Sequence, residues 1–352
     1  MGFAESKSEL NMKNYEINKI KIKSEKNERI SSTKIQAQCY RQYMEDSSII
    51  KINFEKNSSL FGVFDGHGGS LISNFVAQNI GNAILNNISF QKGKIEESLK
   101  ETFLKFDVLL KNPKIDNFIC ECNLNKNDSS HSNQSNSTND SENNDNNNYN
   151  EGNFFNENIK NKKEKKNLSD YISYNMGTTA NIILIKNNYI YIANVGDCLS
   201  YMYYNKKAIK LNNQHNVNLE EEKNRILKSG NKIINGRING RLNLTRAIGD
   251  FSFKNNSKLN CYEQAVISLP EINKFEINNN IDCIVMGSDG FWNYINPQKL
   301  CEKIEKEYKK GKNTEEITKK IFNMTYRQLL KLEHNNTDNM TFIIIKLDEY
   351  II

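Results

Sequence analysis

Six carboxylates in this 352-residue sequence share one local context, because each lies in or beside a turn next to a short apolar run. A strand followed by Asp-Gly is, taken alone, usually only a turn. Recurrence of that context along one chain favours a shared cleft, where unpaired carboxylates would repel one another and lose their hydration. The residues are Glu45, Asp46, Asp65, Asp197, Asp289 and Asp338.

Divalent cations would relieve this repulsion. The acidic turns supply oxygen ligands only, without a neighbouring pair of cysteines or histidines. Such a ligand set suits Mg²⁺ or Mn²⁺ rather than zinc. The pattern therefore predicts a carboxylate site for Mg²⁺ or Mn²⁺, with ordinary surface turns as the alternative.

Arg41 and His67 add a chemistry that the carboxylates lack. Arg41 lies just ahead of the first acidic pair, where its guanidinium could bind a phosphate dianion through two parallel hydrogen bonds. His67 follows Asp65 by two residues, and the glycines around it allow tight turns that would bring the ring to the cleft. In isolation, a surface arginine and a loop histidine are the simpler interpretations.

The elements that must position these residues are short strands and longer helices. Ile95, Leu99, Phe103, Phe106 and Leu110 recur at helical spacing and predict one buried helix face. Strands and helices come in blocks rather than in strict alternation, which favours an α+β fold. Strands are predicted at 48–54, 60–64, 179–185, 189–194, 199–204, 282–287 and 340–347, and helices at 70–87, 94–111, 218–229 and from Asn296 and Thr314 onward.

Composition divides the chain into three parts. Residues 1–30 are polar and rich in lysine, and we expect a flexible N-terminal segment there. Residues 31–352 form one predicted domain. At about residues 123–158 it carries a low-complexity Asn-rich insertion with too little aliphatic content to offset its own ordering entropy.

Charge and cysteine content bear on compartment and partners. The net charge of +6 is not gathered on one element, so we expect no nucleic-acid binding. The seven cysteines are scattered and no apolar run is of transmembrane length, which favours reduced thiols in the cytoplasm or nucleus. Gly2 matches a loose N-myristoylation pattern that would allow reversible membrane association; bulky Phe3 argues for an ordinary chain start instead.

Seven motifs in this order resemble one known family, the metal-dependent serine/threonine protein phosphatases of type 2C. The resemblance spans about residues 36–347 apart from the insertion. The motifs are Arg41-x-x-Met-Glu-Asp46, Phe64-Asp-Gly-His-Gly-Gly69, Gly177-Thr-Thr-Ala180, Asn194-Val-Gly-Asp197, Asn239-Gly-Arg-Leu-Asn-Leu-Thr-Arg-Ala-Ile-Gly-Asp250, Gly287-Ser-Asp-Gly-Phe-Trp292 and Asp338-Asn-Met-Thr341.

The resemblance implies a four-layer α-β-β-α sandwich of two antiparallel sheets with helices on both outer faces. It implies two Mg²⁺ or Mn²⁺ ions at one end, with Asp65 bridging both and the Gly66 carbonyl binding one. Asp289 and Asp338 would hold the other ion, and Glu45 and Asp46 would act directly or through water.

For activity, the resemblance implies hydrolysis of phosphoserine and phosphothreonine in other proteins by a metal-bridging hydroxide, carried out by a monomer. Arg41 would bind phosphate, and His67 would protonate the leaving oxygen as a general acid.

Three departures from the family pattern concern the edges of the site. The sequence reads Gly196-Asp-Cys-Leu199, Gln214-His-Asn-Val217 and Trp292-Asn293 where the family has Gly-Asp-Ser-Arg, Asp-His-Lys-Pro and Trp-Asp. A third, weaker ion would be shared by Asp197 and residue 293, which is here a neutral asparagine. Two alternatives remain at this point: a phosphatase-like binding module without catalysis, and another class of metal-dependent hydrolase such as a phosphodiesterase.

Overall fold

The computed structural model describes residues 20–112, 172–331 and 337–348. The Asn-rich tract predicted at 123–158 and Gly2 lie outside these ranges. Within them, no helix is both long and apolar enough to cross a membrane.

Two antiparallel sheets form the centre of the fold. The first has six strands in the order β1-β2-β16-β15-β9-β10, and every neighbouring pair is antiparallel. Its strands are β1 (Ile20–Lys26), β2 (Ile30–Ala37), β9 (Leu199–Tyr204), β10 (Lys207–Lys210), β15 (Ile281–Gly287) and β16 (Met340–Leu347).

The second sheet has five strands in the order β14-β8-β7-β4-β3, again antiparallel throughout. A three-stranded ribbon, β13-β6-β5, lies at its end. The strands are β3 (Ser47–Glu55), β4 (Ser58–Phe64), β5 (Gly66–His67), β6 (Gly177–Thr178), β7 (Ala180–Lys186), β8 (Tyr189–Val195), β13 (Ile248–Gly249) and β14 (Glu271–Glu276).

Strand β7 shows how the layers are stacked. Ile183 and Ile185 face the first sheet, whereas Ile182 and Leu184 face the helices on the other side. Alternate side chains of a strand point to opposite faces, so a strand buried on both faces is apolar at every position. This explains why the sequence showed continuous apolar runs here rather than alternation.

Helices cover both outer faces, which confirms the predicted four-layer α-β-β-α sandwich. The helical face of Ile95, Leu99, Phe103, Phe106 and Leu110 is buried against the second sheet, as its spacing predicted. On that side lie α1 (Leu71–Leu85), α2 (Ile88–Gln91) and α3 (Ile95–Leu110); on the first sheet lie α5 (Asp289–Trp292), α6 (Pro297–Tyr308) and α7 (Thr314–Lys331).

Asparagine caps begin both late helices. The Asn296 side chain accepts a hydrogen bond from the Lys299 N–H, as the sequence predicted for α6. At α7 the cap is Asn313, because its side chain and that of Glu316 each accept the other's backbone N–H. Thr314, the helix start that the sequence predicts, is the first helical residue, and Asn313 and Glu316 on either side of it form a capping box.

The expectation of a flexible segment over residues 1–30 is wrong for residues 20–30; residues 1–19 lie outside the described ranges. Ile20–Lys26 form β1, which pairs along its whole length with β2. Because β1 is an edge strand, most of its side chains are exposed. Its sequence therefore lacks the apolar pattern that would predict a strand. Its backbone hydrogen bonds to a buried neighbour hold it in place.

A separate lobe projects beside the ribbon and is called the flap here, residues 218–245. It contains α4 (Glu220–Lys228), β11 (Ile233–Ile234) and β12 (Arg237–Ile238). Ile226 and Ile238 pack with Phe253 and Val266 in a small core of their own. Within α4, the fully buried Glu222 pairs with Arg225 and with Arg246, which directly follows the flap.

Candidate active site

The strand registers bring all the predicted acidic turns to one end of the sandwich. In each sheet, the end of one strand lies opposite the start of its antiparallel neighbour. The turns at 45–46, 65, 197, 289 and 338 lie directly beyond these ends. The registers are Met340 with Ala37, Gly287 with Leu199, Ser47 with Phe64 and Ala180 with Val195.

Asp46 joins the two sheets underneath the site. It precedes β3 of the second sheet and is 5% exposed. Its Oδ2 accepts a hydrogen bond, 3.0 Å long, from the Ser288 hydroxyl, which follows β15 of the first sheet. Burial, with smaller contributions from the charges of Asp338 and Asp289, raises the pKa of Asp46 to about 7 despite its hydroxyl partners.

Asp65 and Asp289 form the centre of the cluster. The charge of each of the neighbouring aspartates Asp46, Asp289, Asp197 and Asp338 acts on Asp65. Burial, and then the charges of Asp46 and Asp289, raise the pKa of Asp65 well above its usual value. Burial and the charge of Asp338 raise the pKa of Asp289. The buried Oδ1 of Asp289 has no hydrogen-bond partner.

Asn339 holds the Glu45 segment against the Asp338 turn. Its Oδ1 accepts from the Glu45 N–H at 2.7 Å, and its Nδ2 donates to the carbonyls of Gln38 and Tyr43. A side chain at Gly290 would overlap the Asn339 carbonyl, so only glycine lets the Asp289 and Asp338 turns approach this closely. Sequence reasoning named the acids and missed this asparagine.

Arg41 lies on the rim of the same cluster. Its exposed guanidinium donates to Oδ2 of Asp338 at 2.7 Å. One N–H is used there, and a guanidinium has five. Arg41 thus has further donors available beside the carboxylates, where the sequence had placed a phosphate-binding group.

Asp197 and Gly66 complete the set of predicted ligands. Burial and the charge of Asp289 raise the pKa of Asp197 to about 7. Asp197 therefore interacts electrostatically with the other carboxylates of the cluster. Gly66 is buried and pairs with Thr178 in the ribbon. Asn293, at the end of α5, is exposed and its backbone N–H donates to the Asp289 carbonyl.

His67 is paired with Asp250, an aspartate to which the sequence assigned no role. Its Nε2 lies 2.7 Å from Oδ2 of Asp250, which is 2% exposed. Burial lowers the pKa of His67, but the charge and hydrogen bond of Asp250 outweigh it and the net shift is upward. Asp250 is the last residue of one of the seven motifs, and the family resemblance gave it no role in metal binding. A motif acid without such a role is the sequence signal that could have identified it as the partner of His67.

The ribbon creates the space for this pair. Gly177 lies next to His67 in register, and a Cβ there would overlap Oδ2 of Asp250 and lie 2.8 Å from Nε2 of His67. Asp250 itself has a left-handed backbone, with φ of 55°. Glycine at 177 is therefore required for the imidazole and carboxylate to meet.

The donor chemistry fits Mg²⁺ or Mn²⁺. Within the described ranges, no three His, Cys, Asp or Glu side chains are spaced to hold an ion as they stand. The orphaned Oδ1 of Asp289 and the crowded, buried carboxylates nevertheless call for positive charge, and all the donors are oxygen. Because these groups repel one another, we expect cations to draw them together.

A family model named Protein phosphatase 2C matches residues 30–124 and 117–331. The chain belongs to the protein phosphatase 2C family. Protein phosphatase 2C 1 of Paramecium tetraurelia is 33% identical over 313 residues, covering 88% of this chain and 90% of that protein. The probable protein phosphatase 2C 21 of Arabidopsis thaliana is 29% identical, covering 88% and 84%.

Solved structures agree on the fold. A phosphatase from a pathogenic strain of Toxoplasma gondii superimposes with a TM-score of 0.66 at 16% identity, covering 94% of this chain and 96% of that one. A serine-threonine phosphatase 2C from Toxoplasma gondii gives 0.62 at 13% identity, covering 93% and 99%. As a 2C phosphatase, the chain is a hydrolase of the protein-serine/threonine phosphatase class, and the alternative of another class of metal-dependent hydrolase is removed.

Proposed function

We propose that this 2C phosphatase hydrolyses phosphoserine and phosphothreonine in other proteins with the help of two Mg²⁺ or Mn²⁺ ions. The observation that carries the proposal is the meeting, at one end of the sandwich, of crowded carboxylates, a rim arginine and a histidine paired with a buried aspartate. These are the parts that phosphate ester hydrolysis requires.

The carboxylates would hold the ions. Asp65, on which the charges of Asp46, Asp289, Asp197 and Asp338 act, would bind both cations, and Gly66 would add its backbone carbonyl. Asp289 and Asp338 would hold one ion, and Glu45 and Asp46 would bind the other directly or through water. Asp197 would be a ligand of a third ion, if one binds. When bound, the ions lower the pKa of the attacking water and neutralise charge on the phosphoryl oxygens.

Arg41 would orient the substrate phosphate. It stands 2.7 Å from Asp338, so an anion bound beside that carboxylate lies within reach of its remaining donors. Contact with a phosphate in the ground state and the transition state alike lowers KM more than it raises kcat.

His67 would protonate the leaving oxygen of serine or threonine. An alkoxide is a poor leaving group, so proton donation at this atom speeds bond cleavage. Asp250 favours the protonated imidazole, because the carboxylate is buried and accepts from Nε2. If Nε2 stays on Asp250, the proton is delivered from Nδ1.

The test is release of phosphate from a phosphoserine protein with Mn²⁺ and with chelator. We expect activity only with metal, and Asp65→Asn to lower it by roughly a hundredfold or more, because ligand loss removes several kcal/mol of transition-state stabilisation. Asp282→Asn is the matched control, since Asp282 lies at the other end of β15 beside Lys206.

Two outcomes would overturn the proposal. Full activity in Asp65→Asn protein at saturating Mn²⁺ would remove the metal assignment. No phosphate release from any phosphoprotein, by protein that is folded and metal-loaded, would favour the alternative of a non-catalytic binding module.

A further inference from the structure

Arg241 occupies an unusual place on the flap. It follows β12 in the turn Asn239-Gly240, where both residues have positive φ. The guanidinium lies over the Phe253 ring, 5.6 Å from its centroid, and Nη2 donates to Oδ1 of Asn175 at 3.3 Å. An aromatic face and an amide oxygen thus restrain a side chain that stays exposed.

This position adjoins the wall of the active site. Asn175 begins the segment that runs beside His67, and its carbonyl lies 2.7 Å from where a Cβ of Gly68 would stand. Two residues later, Gly177 pairs with His67 itself. Arg241 is therefore one side chain away from the strand that carries the proposed general acid.

Arg241 has no ion-pair partner within residues 20–112, 172–331 and 337–348. Arg237 lies beside it and donates from Nη1 to the Arg241 carbonyl at 2.9 Å, again a neutral acceptor. Over the described parts of the chain, neither arginine has a carboxylate within ion-pair distance. By contrast, Arg225 in the flap and Arg246 directly after it share the buried Glu222.

We propose that Arg241, assisted by Arg237, binds an acidic side chain that flanks the phosphorylated residue of the substrate. This inference rests on the proposed function and adds a substrate preference to the same site. The leaving oxygen at His67 belongs to the polypeptide, and the rim next to Asn175 adjoins the segment that pairs with His67, so we place the flanking residues of the substrate there. Each residue of an extended peptide spans about 3.3–3.6 Å, so residues two or three positions from the phosphate lie roughly 7–11 Å along the chain from it.

The guanidinium is suited to that ligand. Among the described residues, its one hydrogen-bond acceptor is Oδ1 of Asn175, and the Arg241 side chain is exposed. Its fork matches a carboxylate in two parallel hydrogen bonds, and its stacking on Phe253 limits the entropy lost on binding. A lysine in the peptide at the same place would meet two unpaired positive charges.

The test compares three phosphothreonine peptides that differ only in the residues two and three positions from the phosphate, which are Glu, Gln or Lys. With wild-type enzyme and Mn²⁺, we expect kcat/KM for the Glu peptide to exceed that for the Lys peptide about two- to fivefold, the upper part of the range of an exposed ion pair. The preference should decrease as NaCl is raised.

Arg241→Gln should remove most of this preference, mainly through KM, and Arg241→Lys should retain part of it. Hydrolysis of p-nitrophenyl phosphate, which has no flanking residues, should be unchanged in both. Arg327→Gln is the matched control, because it makes the same charge change at an exposed position on α7.

The outcomes separate this inference from the proposed function. Equal kcat/KM for all three peptides in the wild type, or an undiminished preference in Arg241→Gln, would overturn the inference while leaving the phosphatase proposal standing. Failure to hydrolyse any peptide or p-nitrophenyl phosphate would overturn both.

Discussion

At the scale of single residues, the site combines groups that are unfavourable for folding. Asp46, Asp65 and Asp289 are drawn together, and one buried carboxylate oxygen is left without a partner. Such an arrangement costs stability unless cations bind. Function and stability therefore oppose each other at these positions.

Asp289→Asn tests this opposition. We expect metal-free protein with this change to be more stable than wild type by about 1 kcal/mol or more, because one of several mutually repelling charges is removed. Adding Mn²⁺ at a hundred times its Kd should stabilise the wild type by about 2.7 kcal/mol but stabilise the variant far less. Thermal unfolding with metal and with chelator measures both effects.

A metal-free Asp289→Asn protein that is less stable than wild type would show that the carboxylate makes a favourable contact. Asp282→Asn again serves as the control, since it lies on the same strand outside the cluster.

Gly177→Ala tests the pairing of His67 with Asp250. The new methyl group would overlap the Asp250 carboxylate, so the pair should separate. We expect kcat to fall roughly tenfold or more for a phosphothreonine peptide and much less for p-nitrophenyl phosphate, whose leaving group needs little protonation. Stabilisation by Mn²⁺ should persist, because the carboxylate cluster is untouched. Equal losses on the two substrates would contradict the role given to this pair.

At the scale of elements, the flap depends on a buried ion pair. Glu222 is fully buried and accepts from Arg225 at 2.7 Å and from Arg246 at 2.6 Å. Arg225 also donates to the carbonyls of Thr245 and Gln264, so the two arginines connect α4 to the segment leading to Asp250. Loss of one partner would leave an uncompensated buried charge.

Glu222→Gln should therefore destabilise the protein, by about 3 kcal/mol near neutral pH. Burial raises the pKa of Glu222, but hydrogen bonds and charge from Arg225 and Arg246 lower it overall to about 2, from an ordinary 4.5. A carboxylate whose pKa is lower in the folded than in the unfolded protein stabilises the folded state. For Glu222 this stabilisation is complete above the unfolded-state pKa of 4.5 and is lost as the pH falls toward the folded-state pKa of about 2. The difference from wild type should shrink over that window.

Urea unfolding of both proteins between pH 3 and pH 7 measures this difference. A gap that stays constant with pH would show that the ionised carboxylate contributes nothing, and that packing alone explains the loss.

At the scale of the whole molecule, the chain leaves and re-enters the described structure at adjacent points. The Ser173 hydroxyl donates to the Leu110 carbonyl at 3.2 Å, although 63 positions separate them in sequence. The segment between them contains the Asn-rich tract, whose composition offers no apolar face to bury. This geometry fits an insertion into the domain rather than a boundary between two domains.

Deleting residues 124–158 should therefore lower the free energy of unfolding by less than about 1 kcal/mol, because closure entropy depends only weakly on loop length. Mn²⁺-dependent hydrolysis of p-nitrophenyl phosphate should stay within about twofold of wild type. A shortened protein that does not fold would show that the tract, or its ends, packs on the domain.

Local sequence by itself indicated seven strands, the main helices and the candidate acids, but it missed the strands β1, β2, β10 and β14. Strands such as β7, buried on both faces, leave continuous apolar runs, and α3 shows its buried stripe at helical spacing. The acids stand out because each follows or precedes such a run. Ordered motifs then indicated the family, including its four-layer fold.

Only the tertiary structure decided which distant residues meet. The pairing of His67 with Asp250, the hold of Asn339 on Glu45, and the placement of Arg241 beside Asn175 join residues that are far apart in sequence. Edge strand β1 likewise escaped detection, because its partner's backbone rather than its own side chains holds it in place. Spacing along a chain reports local periodicity, whereas contacts across sheets depend on register, and register is set by the packing of the whole core.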